Sequence, residues 1–256
     1  MSLALVGVIG VVVLLLALFF LRIPVAFAMA LIGFLGFWYV RNFNAAASML
    51  GSEVWKVFTT YGLTVIPLFI LMGQICFYSG VNKRLYKAAY AWLGHRKGGL
   101  SIATILACAG FSAISGSNTA TAATMSTVAL PEMRKYNYDP ILSTSAVAIG
   151  STLGVVIPPS VVLIIIGLQN PNPDPLSIGD LFWGAVGPGL LLTILFILTV
   201  AVLCRKNPHW GPAGPKATWN EKMSSLLGSM ETIILFAVVM AGFVIGLYSP
   251  SEVGAA

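Results

Sequence analysis

Five apolar runs dominate the chain, at about 3–21, 24–40, 63–79, 181–204 and 226–248. A helix needs roughly 20 residues to cross the hydrocarbon of a bilayer, so each run predicts a membrane helix. The first is expected to be retained rather than cleaved. Ala26-Phe27-Ala28 resembles a cleavage site, but no basic residue precedes the run and Arg22 interrupts the region where cleavage would fall. Pro24 then opens the second helix, at a position where a missing N–H costs nothing.

The stretch 99–168 is patterned differently. Gly99–Phe111 and Thr119–Met133 are apolar or small-residue arms of about 13 to 15 residues, each too short to cross comfortably. Between them lies the polar, glycine-containing segment Ser112 to Thr119. Two short arms around a polar tip predict a re-entrant helical hairpin over about 99–133. Exposed backbone at that depth is tolerated only inside protein or beside a water-filled cavity. The next run, about 141–168, is interrupted by Gly150, Gly154 and Ile157-Pro158-Pro159-Ser160. Two successive prolines remove two donors and block helical continuation, which predicts a broken helix with unwound chain between its halves.

Two further stretches are amphipathic. Val81, Leu85, Ala88, Trp92 and Leu93 recur at helical spacing against Lys83, Arg84 and Lys87, and Phe43, Ala47, Leu50, Val54, Val57 and Phe58 repeat the pattern. Helices at about 81–97 and 43–60 are expected to lie in the membrane interface. They serve either as arms between a mobile and a fixed part or as plain connections between spans.

Composition agrees with lipid as the main solvent. Hydrophobic residues make up 58% and charged residues only 9% of the 256, where a soluble domain carries about 25% charged. Mean hydropathy is +0.92. The formal charge of +6 is explained by orientation and requires no nucleic-acid partner. With an external N-terminus and a hairpin that does not cross, twelve Lys and Arg fall inside and only Arg41 and Lys56 outside. A single crossing by 99–133 would leave six inside and eight outside, so the positive-inside rule favours the hairpin, or less readily two full crossings.

The hairpin tip holds the candidate chemistry. Ser112, Ser115, Ser117, Asn118, Thr119 and Thr121 place six hydroxyl or amide side chains within ten residues, and Gly116 lets carbonyls converge. Uncharged hard oxygens suit a reversibly bound monovalent cation such as sodium. Helix N-termini at such a tip offer partial positive charge to a carboxylate, as broken helices do in secondary transporters. The plainer reading is that these small residues only pack helices. Glu231, near the start of the last run, is a weaker candidate for proton transfer and is expected to stay hydrated at the interface. Glu132, Arg134, Lys135 and Asp139 are expected to form a solvated turn with salt bridges. His95 and His209 lack a second ligand at metal spacing. Cys76, Cys108 and Cys204 are read as structural thiols. No GxxxxGK[ST] segment and no nucleophile–base set is present, so nothing argues for an enzyme.

Phe111 to Ala123, followed by Leu130-Pro131-Glu132-Met133 and Tyr138-Asp139-Pro140, resembles the large membrane subunit of tripartite ATP-independent periplasmic (TRAP) transporters. Gly150 to Ser160 and Tyr248-Ser249-Pro250-Ser251-Glu252 resemble further signatures of that family. The Ser117-Asn118-Thr119 tip also resembles the wider superfamily of sodium-coupled carboxylate transporters. The resemblance implies an all-α polytopic membrane protein of elevator type. Residues 1–98 would be mainly scaffold with the interfacial arms, 99–168 the transport unit, and 169–256 a connecting segment with further membrane helices.

The same resemblance implies sodium-coupled symport of an organic acid such as sialic acid or a C4-dicarboxylate. A periplasmic substrate-binding protein would deliver it, and a small four-helix membrane subunit would accompany this chain in the bacterial inner membrane, N-terminus periplasmic. Sodium would be held by Ser115, Ser117 and Asn118 with backbone carbonyls of Gly154, Ile157 and Pro159, and Asn118 and Thr119 would meet the substrate. No other cofactor is implied. One departure stands out: the family's subunit has two inverted halves, and only one hairpin and broken helix are visible before Gly254-Ala255-Ala256. Either the subunit is truncated or incomplete, which is the expectation, or its second half is a separate chain. Such a half is expected to be unable to transport alone. Competing readings are a stand-alone sodium- or proton-coupled carboxylate transporter and a non-transporting membrane scaffold.

Overall fold

A computed structural model describes residues 3–21, 23–60, 63, 65–168 and 177–245. Arg22, most of the loop over 169–180, the Tyr248–Glu252 signature and the last three residues lie outside the described residues. The described regular structure is helical, and backbone contacts divide the chain into two units, Met1–Tyr61 and Gly62–Ala256.

The first unit holds α1 (Leu3–Leu21), α2 (Val25–Val40) and α3 (Phe43–Thr59). Most of the α1 side chains face outward, as expected of a helix solvated by lipid. α2 has 16 residues, fewer than a full crossing requires. The amphipathic α3 starts at Asn42, whose Oδ1 accepts from the Ala45 N–H at 2.8 Å. Trp38 and Phe43 pack edge to face with centroids 5.3 Å apart, joining α2 to α3.

The second unit is built around α6. It comprises α4 (Val65–Tyr78), α5 (Val81–Leu93), α6 (Gly99–Ser115), α7 (Asn118–Lys135), α8 (Pro140–Ser151), α9 (Leu153–Val156), α10 (Val161–Leu168), α11 (Ile178–Lys206), α12 (Trp219–Leu227) and α13 (Met230–Ile245). Leu100, Ile105, Phe111 and Ile114 of α6 are buried among α5, α7, α8 and α9. The arms α6 and α7 have 17 and 18 residues, longer than the apolar pattern predicts. The polar run Ser112–Ser115 continues α6 instead of forming a loop.

By length and apolarity, three described helical segments suffice to cross a membrane: Ala4–Leu21, the interrupted Pro140–Gly167 and Ile178–Lys206. The run 24–40 and the run 63–79 form helices of 16 and 14 residues. The described part of the expected span 226–248 is α13 preceded by the end of α12, with a 43° bend between the two. Hydropathy cannot register that break, because Leu226, Leu227 and Met230 are apolar on both sides of it. The Gly228 and Ser229 N–H groups cap α12 on Ser224 and Leu226 carbonyls, which ends one helix before the next begins.

A loop over 207–218 ties the base of this unit together. Gly98 N–H donates to the Gly211 carbonyl at 2.8 Å, Gly214 N–H to Gly94 at 2.8 Å, and Asp139 N–H to Trp210 at 3.0 Å. Gly98 has φ +74°, and a Cβ there would stand 2.6 Å from Cys204 Sγ. Only glycine suits both the backbone and the space.

Candidate functional site

α6 stops because Gly116 turns left-handed, with φ +56°, and its N–H closes on the Ser112 carbonyl at 3.0 Å. Ser117 is extended and caps α7, its Oγ accepting from Ala120 N–H at 3.4 Å. The whole turn therefore takes two residues. Behind it, Ser115 Oγ and Thr121 Oγ1 lie 3.1 Å apart, and Thr121 donates to the Ser117 carbonyl at 2.8 Å. Thr119 is exposed, with its hydroxyl 3.1 Å from that of Ser117.

The broken helix supplies the opposing wall. α8 ends at Ser151, α9 lasts four residues, and Ile157 is extended with φ −78° and ψ 122°. Pro158-Pro159 is a cis peptide, and Ser160 leads into α10. Two glycines let this wall touch the tip. A Cβ on Gly154 would lie 2.9 Å from the Ser117 carbonyl carbon and 3.0 Å from Asn118 N. One on Gly116 would lie 2.7 Å from the Pro159 carbonyl oxygen. On the hairpin's other flank α4 approaches at Gly73, whose Cβ would meet Ser115 Cα at 3.4 Å.

Ser115, Ser117, Asn118, Gly154 and Pro159, drawn from the two stretches 115–118 and 154–159, thus converge. Ile157 packs toward α11, where a Cβ on Gly189 would stand 3.0 Å from its Cγ1. The C-terminus of α6 and the Pro159 carbonyl bring oxygens to this place, and two N-termini, of α7 and α10, bring N–H groups. The oxygens favour a cation and the N–H groups an anion.

The oxygens at the tip are unequal. Ser115 and Thr121 satisfy one another, and Ser117 is engaged as a cap. Asn118 Oδ1, Ser112 Oγ and Ser160 Oγ are buried with no hydrogen-bond partner. Leaving such an atom unpaired costs about 1–3 kcal/mol, so each is an acceptor available to a ligand or water. Ser160 was not distinguished by its residue type or spacing; only its complete burial beside Gly116 singles it out.

The weaker candidates resolve differently. Glu231 pairs with Arg84 at 2.8 Å, and its side chain remains 74% exposed. The turn after α7 forms no salt bridge among the described residues: Asp139 instead caps α8, accepting from Ile141 and Leu142 N–H at 2.8 and 3.2 Å. Nearby, burial pushes the Tyr138 hydroxyl up to about 12, and that oxygen accepts from Leu100 N–H at 3.2 Å.

Residues 12–256 match the family model described as tripartite ATP-independent periplasmic transporter, DctM component. The chain is 34% identical over 203 residues to the C4-dicarboxylate TRAP transporter large permease protein DctM of Pseudomonas aeruginosa, covering 78% of this chain and 46% of that protein. It is 28% identical over 239 residues to the ectoine TRAP transporter large permease protein TeaC of Halomonas elongata, covering 93% and 55%. With the 2,3-diketo-L-gulonate TRAP transporter large permease protein YiaN of Escherichia coli K12 it shares 29% over 233 residues, covering 91% and 53%. The chain spans about half the length of the curated relatives it matches.

Proposed function

The chain belongs to the DctM-component family of tripartite ATP-independent periplasmic transporters, and we propose that it forms part of a sodium-driven symporter for an organic acid. The tip of α6 and α7 and the unwound segment after α9 together hold the ion. Ser115, Ser117 and Asn118 supply side-chain oxygens, and Gly154, Ile157 and Pro159 supply carbonyls. Asn118 and the exposed Thr119, beside the N-terminus of α7, meet the substrate carboxylate. The hairpin is re-entrant, and residues 99–168 carry ion and substrate across as one body in an elevator movement.

The observation that supports this reading best is the buried, unpartnered Asn118 Oδ1 on a turn pressed against Gly154 and Pro159. Uncharged oxygens at converging helix ends hold a monovalent cation without the tight grip that carboxylates would impose. The substrate belongs among the organic acids; a C4-dicarboxylate, as named for the Pseudomonas relative, and sialic acid are the ones to test first. A small membrane subunit and a periplasmic binding protein complete the system in the inner membrane, with the N-terminus periplasmic.

Uptake of labelled organic acid into proteoliposomes holding the full-length subunit and its small partner tests this. Uptake is expected only when a sodium gradient and the binding protein are both present. Uptake with sodium alone would make the protein a stand-alone carrier. Uptake indifferent to sodium would remove the ion from the tip.

A further inference from the structure

Arg134 and Lys135 close α7 without a carboxylate partner among the described residues. Their acidic neighbours do not pair with them. Asp139 is spent on the first N–H groups of α8. Glu132 lies about 200° around the helix from Leu130 and forms no ion pair with either cation among the described residues. The two cations instead border a groove of about 890 Å³ between α7 and α8. Leu130 and Pro131 form an apolar wall of this groove, Ser143 and Thr144 a hydroxyl-bearing one, and no Asp or Glu lines it.

We propose that this groove binds the phosphate-bearing headgroup of an anionic phospholipid. Two adjacent cations facing no acid favour a phosphate, which an arginine fork can meet with two hydrogen bonds. The apolar wall favours a lipid over a free anion. So does Ile141, the second residue of α8 and next to the groove-lining Pro140, with 74% of its surface exposed. Basic pockets between membrane helices on the cytoplasmic side recognise lipid headgroups in this manner. The site depends on side chains rather than on the N-terminus of α8, whose leading N–H groups are already taken. It rests on the reading of the chain as a membrane protein but not on the ion site, which lies at the opposite end of α7.

The test uses the full-length subunit with its small partner in neutral detergent, titrated with phosphatidylglycerol or phosphatidylcholine and read by native mass spectrometry. Phosphatidylglycerol should be retained at a concentration about tenfold lower, equivalent to about 1.4 kcal/mol. Arg134→Gln with Lys135→Gln should abolish the preference, whereas Arg96→Gln with Lys97→Gln, the same loss of charge elsewhere, should keep it. Thr144→Trp fills the groove with both cations in place and should also abolish it; this variant decides the matter if the double substitution does not fold. Retention untouched by either change overturns the proposal. Displacement by excess inorganic phosphate overturns it in favour of a free-anion site, and no lipid on the wild-type protein overturns it in favour of a groove covered by other protein.

Discussion

Gly116 and Pro159 meet backbone to backbone: a Cβ on the glycine would come within 2.7 Å of the proline carbonyl oxygen. The contact joins the hairpin tip to the broken helix, and Gly116 is also held at φ +56°. Gly116→Ala therefore carries two penalties, left-handed strain of roughly 1–2 kcal/mol and displacement of the opposing carbonyl. Sodium-dependent uptake should fall at least tenfold while insertion persists. Gly184→Ala, where nothing stands within 4 Å of the added carbon, should leave uptake unchanged. Equal uptake by both variants would mean that the tip-to-segment contact is dispensable.

Asn118→Ala removes the buried, unpartnered Oδ1. A hydrogen bond or ion contact to a charged group contributes about 1.5–3 kcal/mol, or roughly 10- to 100-fold in binding. The sodium concentration for half-maximal uptake should rise by that factor in proteoliposomes. Thr127→Ala serves as the comparison, because the Thr127 hydroxyl donates only to the Thr124 carbonyl within its own helix, at 2.7 Å. A half-maximal concentration unchanged by Asn118→Ala would exclude this oxygen as a ligand.

Local chemistry made the hairpin and the break legible in sequence. Gly116 and Ser117 mark a turn and a cap, and Pro158-Pro159 cannot continue a helix. The boundaries were less legible because polarity is a poor guide inside a packed helix. Ser112 and Ser115 read as loop residues, yet both lie in the last turns of α6, which continues until Gly116 ends it. Their burial also divides the six candidate oxygens into those engaged with each other and those left over. Pairwise neighbours had no local signature: Glu231 finds Arg84 across 147 positions, and Ser160 gains its interest only from lying against Gly116. The bend between α12 and α13 was hidden for a different reason. Hydropathy averages over residues and does not register where backbone hydrogen bonds are handed to a cap.

Arg84 and Glu231 form an exposed ion pair between α5 and α13, with side chains 38% and 74% accessible. Such pairs contribute about 0.2–1 kcal/mol and weaken with salt. A double-mutant cycle with Arg84→Gln and Glu231→Gln should give a coupling below about 1 kcal/mol that shrinks further at high ionic strength. Glu231→Gln should also leave the pH profile of uptake in place. A shift of that profile would return Glu231 to the role of a proton carrier.

Thr218 and Glu221 start α12 with a reciprocal capping box. Glu221 Oε2 accepts from Thr218 N–H at 2.7 Å, and Thr218 Oγ1 accepts from Glu221 N–H at 3.4 Å. The hydrogen bond from the Thr218 backbone, followed by the one from its hydroxyl, lowers the Glu221 carboxyl below its usual range. A carboxylate whose pKa is depressed in the folded helix adds stability above its unfolded pKa, and that contribution is lost as pH falls through the lower, folded value. Hydrogen exchange of α12 amides, corrected for intrinsic rates, should therefore show protection that is constant at neutral pH and declines below the ordinary carboxylate range. Glu221→Gln should flatten this acid dependence. Thr218→Ala should reduce protection several-fold even at neutral pH, because it removes the hydroxyl acceptor itself. If Glu221→Gln retains the same acid-induced loss, the titrating group lies elsewhere and the box does not set the start of the helix.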